Sequence, residues 1–219
     1  MSHIQFTDPE AILDDLLLRY LVLEPQRDGI WTAFLLLKDC FTAGGKLLLC
    51  GNGGSAADAM HIAGELQKAF ILRRRPDTLF AEALHGACPA DAEYLLGKLE
   101  RGLPAIPLVE NAAVMTAISN DTEPKLAFAQ QVYAIGQRND ALLGISTSGN
   151  SQNVVYAAEV AQALGMQVIT LTGRGPNRLT PLSDCQIAVD RTEPFLVQEL
   201  HLPVYHALCL MLENELFAE

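Results

Sequence analysis

The sequence has no basic stretch longer than three residues, no apolar run long enough to span a bilayer, no CxxC pair and no low-complexity tract. Each absence argues against a class of function. Only 15 Lys and Arg stand against 26 Asp and Glu in 219 residues, a net charge of -11. Nucleic-acid affinity comes largely from Lys and Arg, so this balance makes a poor phosphate-backbone binder. The one basic run, Arg73-Arg74-Arg75, reads as a solvated loop. The N-terminus, MSHIQFTDPE, lacks a basic segment followed by an apolar one, so no signal peptide is expected. The longest apolar runs, near Phe34–Leu37 and Lys46–Cys50, fall far short of the roughly 20 residues a membrane helix needs. Cys40, Cys50, Cys88, Cys185 and Cys209 are an odd, scattered set without a CxxC pair. They fit reduced thiols in a cytoplasmic protein better than a disulfide framework or a structural zinc site.

What is present is a chain that is half apolar and only 19% charged, which suits a buried core and opposes disorder. Its length fits one domain over residues 1–219. Pro9 after Asp8, then Ile12, Leu16, Leu17, Tyr20 and Leu21, give helical spacing. A second helix is expected over 28–41, ending at Gly44-Gly45. Short apolar strands then alternate with helices: strands at 46–50, 105–109, 141–145, 167–171 and 185–189, and helices near 56–70, 112–118, 124–136, 151–164 and 195–217. Such alternation predicts an α/β fold, a three-layer α-β-α sandwich on a five-stranded parallel sheet of flavodoxin-like type with added N-terminal helices. Residues 71–104 break the rhythm. They read as an elaborated loop with one helix over 91–101, longer than the usual connection in an α/β unit.

Two turns carry the strongest chemical signal. One strand runs into Gly51-Asn52-Gly53-Gly54-Ser55 and a helix, and another runs into Ser146-Thr147-Ser148-Gly149-Asn150-Ser151 and a helix. In a parallel sheet both lie at the carboxyl ends of strands, where open α/β folds bind ligands. Glycine permits close backbone approach, helix N-terminal amides favour anions, and short hydroxyls add donors for phosphate oxygens. Either turn alone could be simple helix capping. The first is neither a GxGxxG dinucleotide fingerprint nor a P-loop. The pair at one sheet edge points to a phosphorylated ligand.

The segments CGNGGSAADAMHIAGEL, AISND, LLGISTSGNS, VITLTGR and VQELHLPVYH resemble the phosphoheptose (sedoheptulose 7-phosphate) isomerases of the sugar isomerase (SIS) domain superfamily. The likeness spans nearly the whole chain outside 71–104. It implies an aldose–ketose isomerase that converts sedoheptulose 7-phosphate to D-glycero-D-manno-heptose 7-phosphate through an enediol(ate). It also implies a homotetramer with pockets at subunit interfaces, in which the first 45 residues serve assembly. No nucleic-acid or membrane partner is implied. The substrate residues carried over are Asn52, Gly53, Gly54, Ser55, Glu65, Asn120, Asp121, Ser146, Thr147, Ser148, Ser151 and Gln198.

By the same resemblance one Zn²⁺ per subunit is held by His61, Glu65, Gln198 and His206. Glu65 is the base and His206 its acid–base partner. The spacing by itself says less. His61 and Glu65 share a helix face, as a metal pair or a surface hydrogen bond would. Gln198 and His206 lie about 12 Å apart along their helix, and His201 competes with His206. An N/O ligand set is compatible with Zn²⁺ or another divalent ion. The other histidines, His3, His85 and His201, are assigned to surface, loop and helix packing. Pro203 is expected to kink its helix, a bend that could draw Gln198 and His206 towards one ion. Two rivals remain: a non-catalytic SIS protein that binds the replication initiator, and an isomerase of a related sugar phosphate.

Overall fold

The structure, a computed structural model, describes residues 8–218, so His3 lies outside the described residues. Five strands form one parallel sheet: β1 (Leu47–Gly51), β2 (Ala105–Pro107), β3 (Ala141–Ser146), β4 (Gln167–Gly173) and β5 (Cys185–Val189), in the order β2-β1-β3-β4-β5. Leu48 and Cys50 face one layer of the core, while Leu47 and Leu49 face the other. This alternation buries β1 and β3 on both sides, which accounts for their continuous apolar character.

One layer contains α1 (Pro9–Arg19), α2 (Arg27–Thr42), α3 (Gly54–Gln67) and α9 (Pro194–Phe217). The other contains α7 (Ala127–Ile135) and α8 (Gln152–Ala163), with Met115 of α6 (Ala112–Asp121) against them. The three-layer α-β-α sandwich is the one the alternating pattern predicts. Asp8 caps α1 by accepting from the Ala11 amide at 2.8 Å. Ile12, Leu13, Leu16 and Leu17 of that helix are buried, while Leu18 and Leu21 project outward at 77% and 74% exposure. β2 stops at Pro107, two residues short of its expected end, on the edge of the sheet.

β1 and β3 are held in register from below. Asp140 accepts from the Lys46 amide at 2.9 Å and from its Nζ at 2.6 Å, and it also receives the Gln137 amide at 2.7 Å. Gly51 then pairs with Ile145, so the two glycine- and serine-rich turns leave the sheet side by side. α3 follows β1 into one layer and α8 follows β3 into the other. The space between the turns is therefore the topological switch point of the sheet.

The 71–104 stretch holds two helices rather than one: α4 (Thr78–Ala87) and α5 (Ala92–Lys98). Asp77 caps α4 through the Phe80 amide at 2.9 Å, and α4 closes shortly before Pro89. His85 thus belongs to a helix, not a loop, and stands 3.4 Å from Glu93. The basic run is also not uniformly solvated. Arg73 and Arg75 are exposed, whereas Arg74 is 1% exposed.

α9 continues as α-helix through Pro203 without a break. By length and mean hydropathy, 1.3 over its most apolar window, it could cross a membrane. The run-by-run sequence reading missed this because Gln198, His201 and His206 interrupt the apolar stretch. In the fold it packs against α1, α2 and α3 and the end of the sheet, as a core helix does. All five cysteines are free thiols, and only Cys88 is not buried. Burial raises the Cys50 thiol to about 12 and those of Cys40 and Cys185 to about 11.

His201, assigned to helix packing, is fully buried with Nε2 3.2 Å from the Thr172 carbonyl. Burial lowers its pKa from 6.5 to about 4. An unfolded chain binds the proton that the folded one refuses, so stability falls as pH drops through 6.5 towards 4. Between pH 7 and pH 5 the expected loss from this group is about 2 kcal/mol. Urea unfolding of wild type and His201→Leu at both pH values tests this. A pH slope unchanged by the substitution contradicts the assignment.

Candidate functional site

The first turn depends on two glycines. Gly53 has φ +56°, a conformation that side chains other than glycine resist. Gly54 opens α3 against the Gln198 amide. A Cβ there would come within 2.3 Å of Gln198 Nε2, so a side chain at position 54 would displace the Gln198 amide. Asn52 exchanges side-chain hydrogen bonds with Asn153 of α8, at 2.9 and 2.8 Å, and links the two turns. Ser55 is buried beneath them.

In the second turn, Ser146 and Ser151 pair through their hydroxyls at 2.9 Å. Ser151 occupies the N-cap position of α8 yet places no hydroxyl on that helix's amides. Val154 N–H is taken by Asn153 Oδ1 and the Ser151 carbonyl, and the amides of Gln152 and Asn153 ahead of it remain suited to an anion. Thr147 is half-buried and Ser148 is exposed beside it. Arg178, which the sequence did not single out, brings its guanidinium to the Gln152 side chain in the first turn of α8. Its positive charge lies near this turn and is shared with Glu159 at 4.0 Å.

Further along α3, His61 and Glu65 meet on one face, with Nε2 and Oε1 3.2 Å apart. His206 of α9 stands edge-on to His61, with ring centroids 5.0 Å apart, and also packs against Phe70 and Tyr205. The His206 Nε2 is shielded and has no hydrogen-bond partner. Its pKa is lowered by burial first and by the neighbouring His61 next. Two residues unremarked in the sequence complete the cluster. The Tyr205 hydroxyl lies 3.0 Å from His61 Nδ1 and donates to Asp58 Oδ1 at 3.3 Å. Burial raises the Asp58 pKa, opposed by the Tyr205 hydroxyl and His61. Asp58 precedes His61 by three residues, a same-face spacing the sequence did display. Tyr205 gave no signal beyond adjacency to His206.

His61, Glu65 and His206 thus converge, while Gln198 rests against Gly54, seven residues or about 10 Å back along α3. The uninterrupted α9 does not draw Gln198 and His206 to one point on α3. Among the described residues, no three His, Cys, Asp or Glu side chains already stand in metal-ligating geometry. Asn120 and Asp121 end α6, exposed and hydrogen-bonded to each other at 2.8 Å rather than to either turn. A groove of about 700 Å³ between α6 and α7 is lined by Val114, Ile118, Ala134 and Ile135, and lies apart from this chemistry.

The far end of α3 is fixed by a buried ion pair that the sequence did not reveal. Arg74 Nε donates to Glu213 Oε1 at 2.8 Å, and both side chains are fully buried. Glu213 also accepts the amides of Phe70, Ile71 and Leu72. The other Arg74 nitrogens bond the Leu66 carbonyl at 2.7 Å and the Glu65 carbonyl at 3.2 Å. The backbone that carries Glu65 is held at the exit of α3.

The profile of the family described as "SIS domain" matches residues 16–101 and 94–173, in two parts that meet inside the 71–104 excursion. Among curated relatives, a phosphoheptose isomerase of Desulfovibrio desulfuricans is 40% identical over 185 residues, 84% of this chain and 75% of its own. One of Aliarcobacter butzleri is 36% identical over 195 residues, 89% of each chain. Among solved structures, a phosphoheptose isomerase from Neisseria gonorrhoeae superposes with a TM-score of 0.72 at 30% identity, covering 94% of this chain and 96% of that one. A second, from Francisella tularensis, gives 0.70 at 31% identity, covering 88% and 87%.

Removing one partner of a fully buried ion pair leaves an uncompensated charge. Arg74→Met is therefore expected to lower unfolding free energy by about 3–5 kcal/mol. The double variant Arg74→Met/Glu213→Gln, which removes the stranded charge and keeps an acceptor for the Phe70, Ile71 and Leu72 amides, should recover much of that loss in denaturant titrations. A double variant no more stable than the single one contradicts this account.

Proposed function

Because this chain belongs to the phosphoheptose isomerase family of SIS-domain proteins and is a sugar-phosphate isomerase, we propose that it interconverts sedoheptulose 7-phosphate and D-glycero-D-manno-heptose 7-phosphate. The observation that carries the reading is the convergence of His61, Glu65 and His206 on a helix that starts at one of two paired anion-suited turns. The phosphate is held by the amides and hydroxyls of Ser146, Thr147, Ser148 and Ser151, with Asn52, Gly53, Gly54 and Ser55 forming the opposite wall. Asn120, Asp121 and Gln198 contact sugar hydroxyls.

Glu65 removes the proton from the carbon beside the carbonyl and returns it to the neighbouring carbon, through an enediol(ate). His206 moves the second proton between the two oxygens. Burial and the adjacent His61 favour its neutral form, which is the form able to accept that proton. The donors present suit a divalent ion: His206 Nε2 is shielded and unpaired, and His61 and Glu65 place a nitrogen and a carboxylate oxygen 3.2 Å apart. His61, Glu65 and His206 would hold Zn²⁺, with Gln198 left to the sugar beside Gly54, and the ion would supply positive charge beside the developing oxyanion.

The same proposal includes a cytoplasmic homotetramer with pockets between subunits. Leu18 and Leu21, exposed on the N-terminal helical layer, support a role for that layer in assembly.

A coupled assay with sedoheptulose 7-phosphate tests the reading. Glu65→Gln is expected to reduce turnover by about 10²–10⁴-fold. Chelation should abolish wild-type turnover, and added Zn²⁺ should restore it. Undiminished turnover in Glu65→Gln overturns the assigned mechanism. A wild type without turnover on any heptose or pentose phosphate favours a non-catalytic binding protein.

A further inference from the structure

Tyr205 is 1% exposed and stands one residue before His206 on α9, with its ring roughly perpendicular to both imidazoles of the site. Its hydroxyl carries a single proton and donates it to Asp58 Oδ1. Towards His61 Nδ1, 3.0 Å away, the same oxygen can only accept. With Asp58 ionised and the hydroxyl proton directed to it, Nδ1 of His61 bears the ring proton and Nε2 keeps its lone pair. That lone pair lies 3.2 Å from Glu65 Oε1. Without a proton on Nε2, the two electron-rich atoms at that separation repel each other unless a metal cation lies between them.

We propose that Tyr205, backed by Asp58, is a positioning residue that fixes His61 as the Nδ1–H tautomer and so presents Nε2, together with Glu65, to a divalent cation. This rests on the metal-binding reading above. The physical logic is that of outer partners that orient a ligating imidazole through its remote nitrogen. Here the usual carboxylate acts one step removed, through a phenol supplied by a different helix. Substitution at Tyr205 therefore reaches the site from α9 while leaving every proposed ligand in place.

The test is long-range ¹H–¹⁵N correlation of the histidine rings in metal-free protein, paired with zinc titration by competition against a chromogenic chelator. Wild-type His61 is expected as the Nδ1–H tautomer, and Tyr205→Phe as predominantly Nε2–H, since the phenyl ring accepts no proton from Nδ1. Zinc affinity of Tyr205→Phe should fall about 10–100-fold, and activity should return at saturating zinc. Asp58→Ala keeps the Tyr205 ring and should shift the tautomer in the same direction, which covers the case of a Tyr205→Phe chain that fails to fold. An Nε2–H wild type, or variants with unchanged tautomer and affinity, overturns the proposal. A wild type that holds the Nδ1–H form but binds no divalent ion supports the positioning role and overturns the metal reading instead.

Discussion

The buried carboxylate of Glu213 is the constraint on which the geometry of the site depends. A lone carboxylate in an apolar interior is prohibitively costly, and this one is offset by three backbone amides and a guanidinium. All four donors belong to the segment that leaves α3, while Glu213 belongs to α9. The interaction therefore fastens the exit of α3 to the last turns of α9. The other ends of these helices meet where the Gln198 amide packs on Gly54. Fastened at both ends, α3 and α9 run side by side, and His61, Glu65, Tyr205 and His206 lie between the two fixed points.

The sheet contributes the second half of the site. Because α3 and α8 leave adjacent strands towards opposite layers, the two turns stand side by side at the switch point between β1 and β3, where open α/β folds bind ligands. The chain lines it with glycine, serine, threonine and asparagine rather than lysine. That choice reconciles an acidic molecule with an anionic ligand. Net charge governs solubility and long-range attraction, whereas under the proposed reading a phosphate at the two turns would meet oriented amides, hydroxyls and the local charge of Arg178. The acidity excludes long-range steering of phosphates without excluding their binding.

Much of the fold was legible because its signals are local. Apolar runs bounded by glycine mark β1 and β3, Asp8 before Pro9 marks the start of α1, and the two turns sit where strand gives way to helix. The His61–Glu65 pair was legible for the same reason, as a four-residue spacing on one helix. What escaped depends on distant pairings. Arg74 and Glu213 are 139 residues apart in sequence, and a basic triplet gives no hint that its middle member turns inward. Tyr205 reads as one more apolar residue of α9 until the fold places Asp58 and His61 across from it. The excursion was misread at α4 because its apolar residues face no core, so periodicity alone had to carry the assignment against a glycine and a nearby proline.

The distribution of thiols has a practical consequence for spectroscopy. Four of the five cysteines are buried, and those whose pKa burial raises are almost wholly protonated near neutral pH, which removes the thiolate that alkylating reagents attack. Cys88, just after α4, is the accessible exception. A maleimide dye or spin label added to the native protein would therefore mark the excursion at a single position without any prior cysteine removal. The label would sit on the part of the molecule that departs most from the αβ framework and leave the two turns and the α3–α9 cluster untouched.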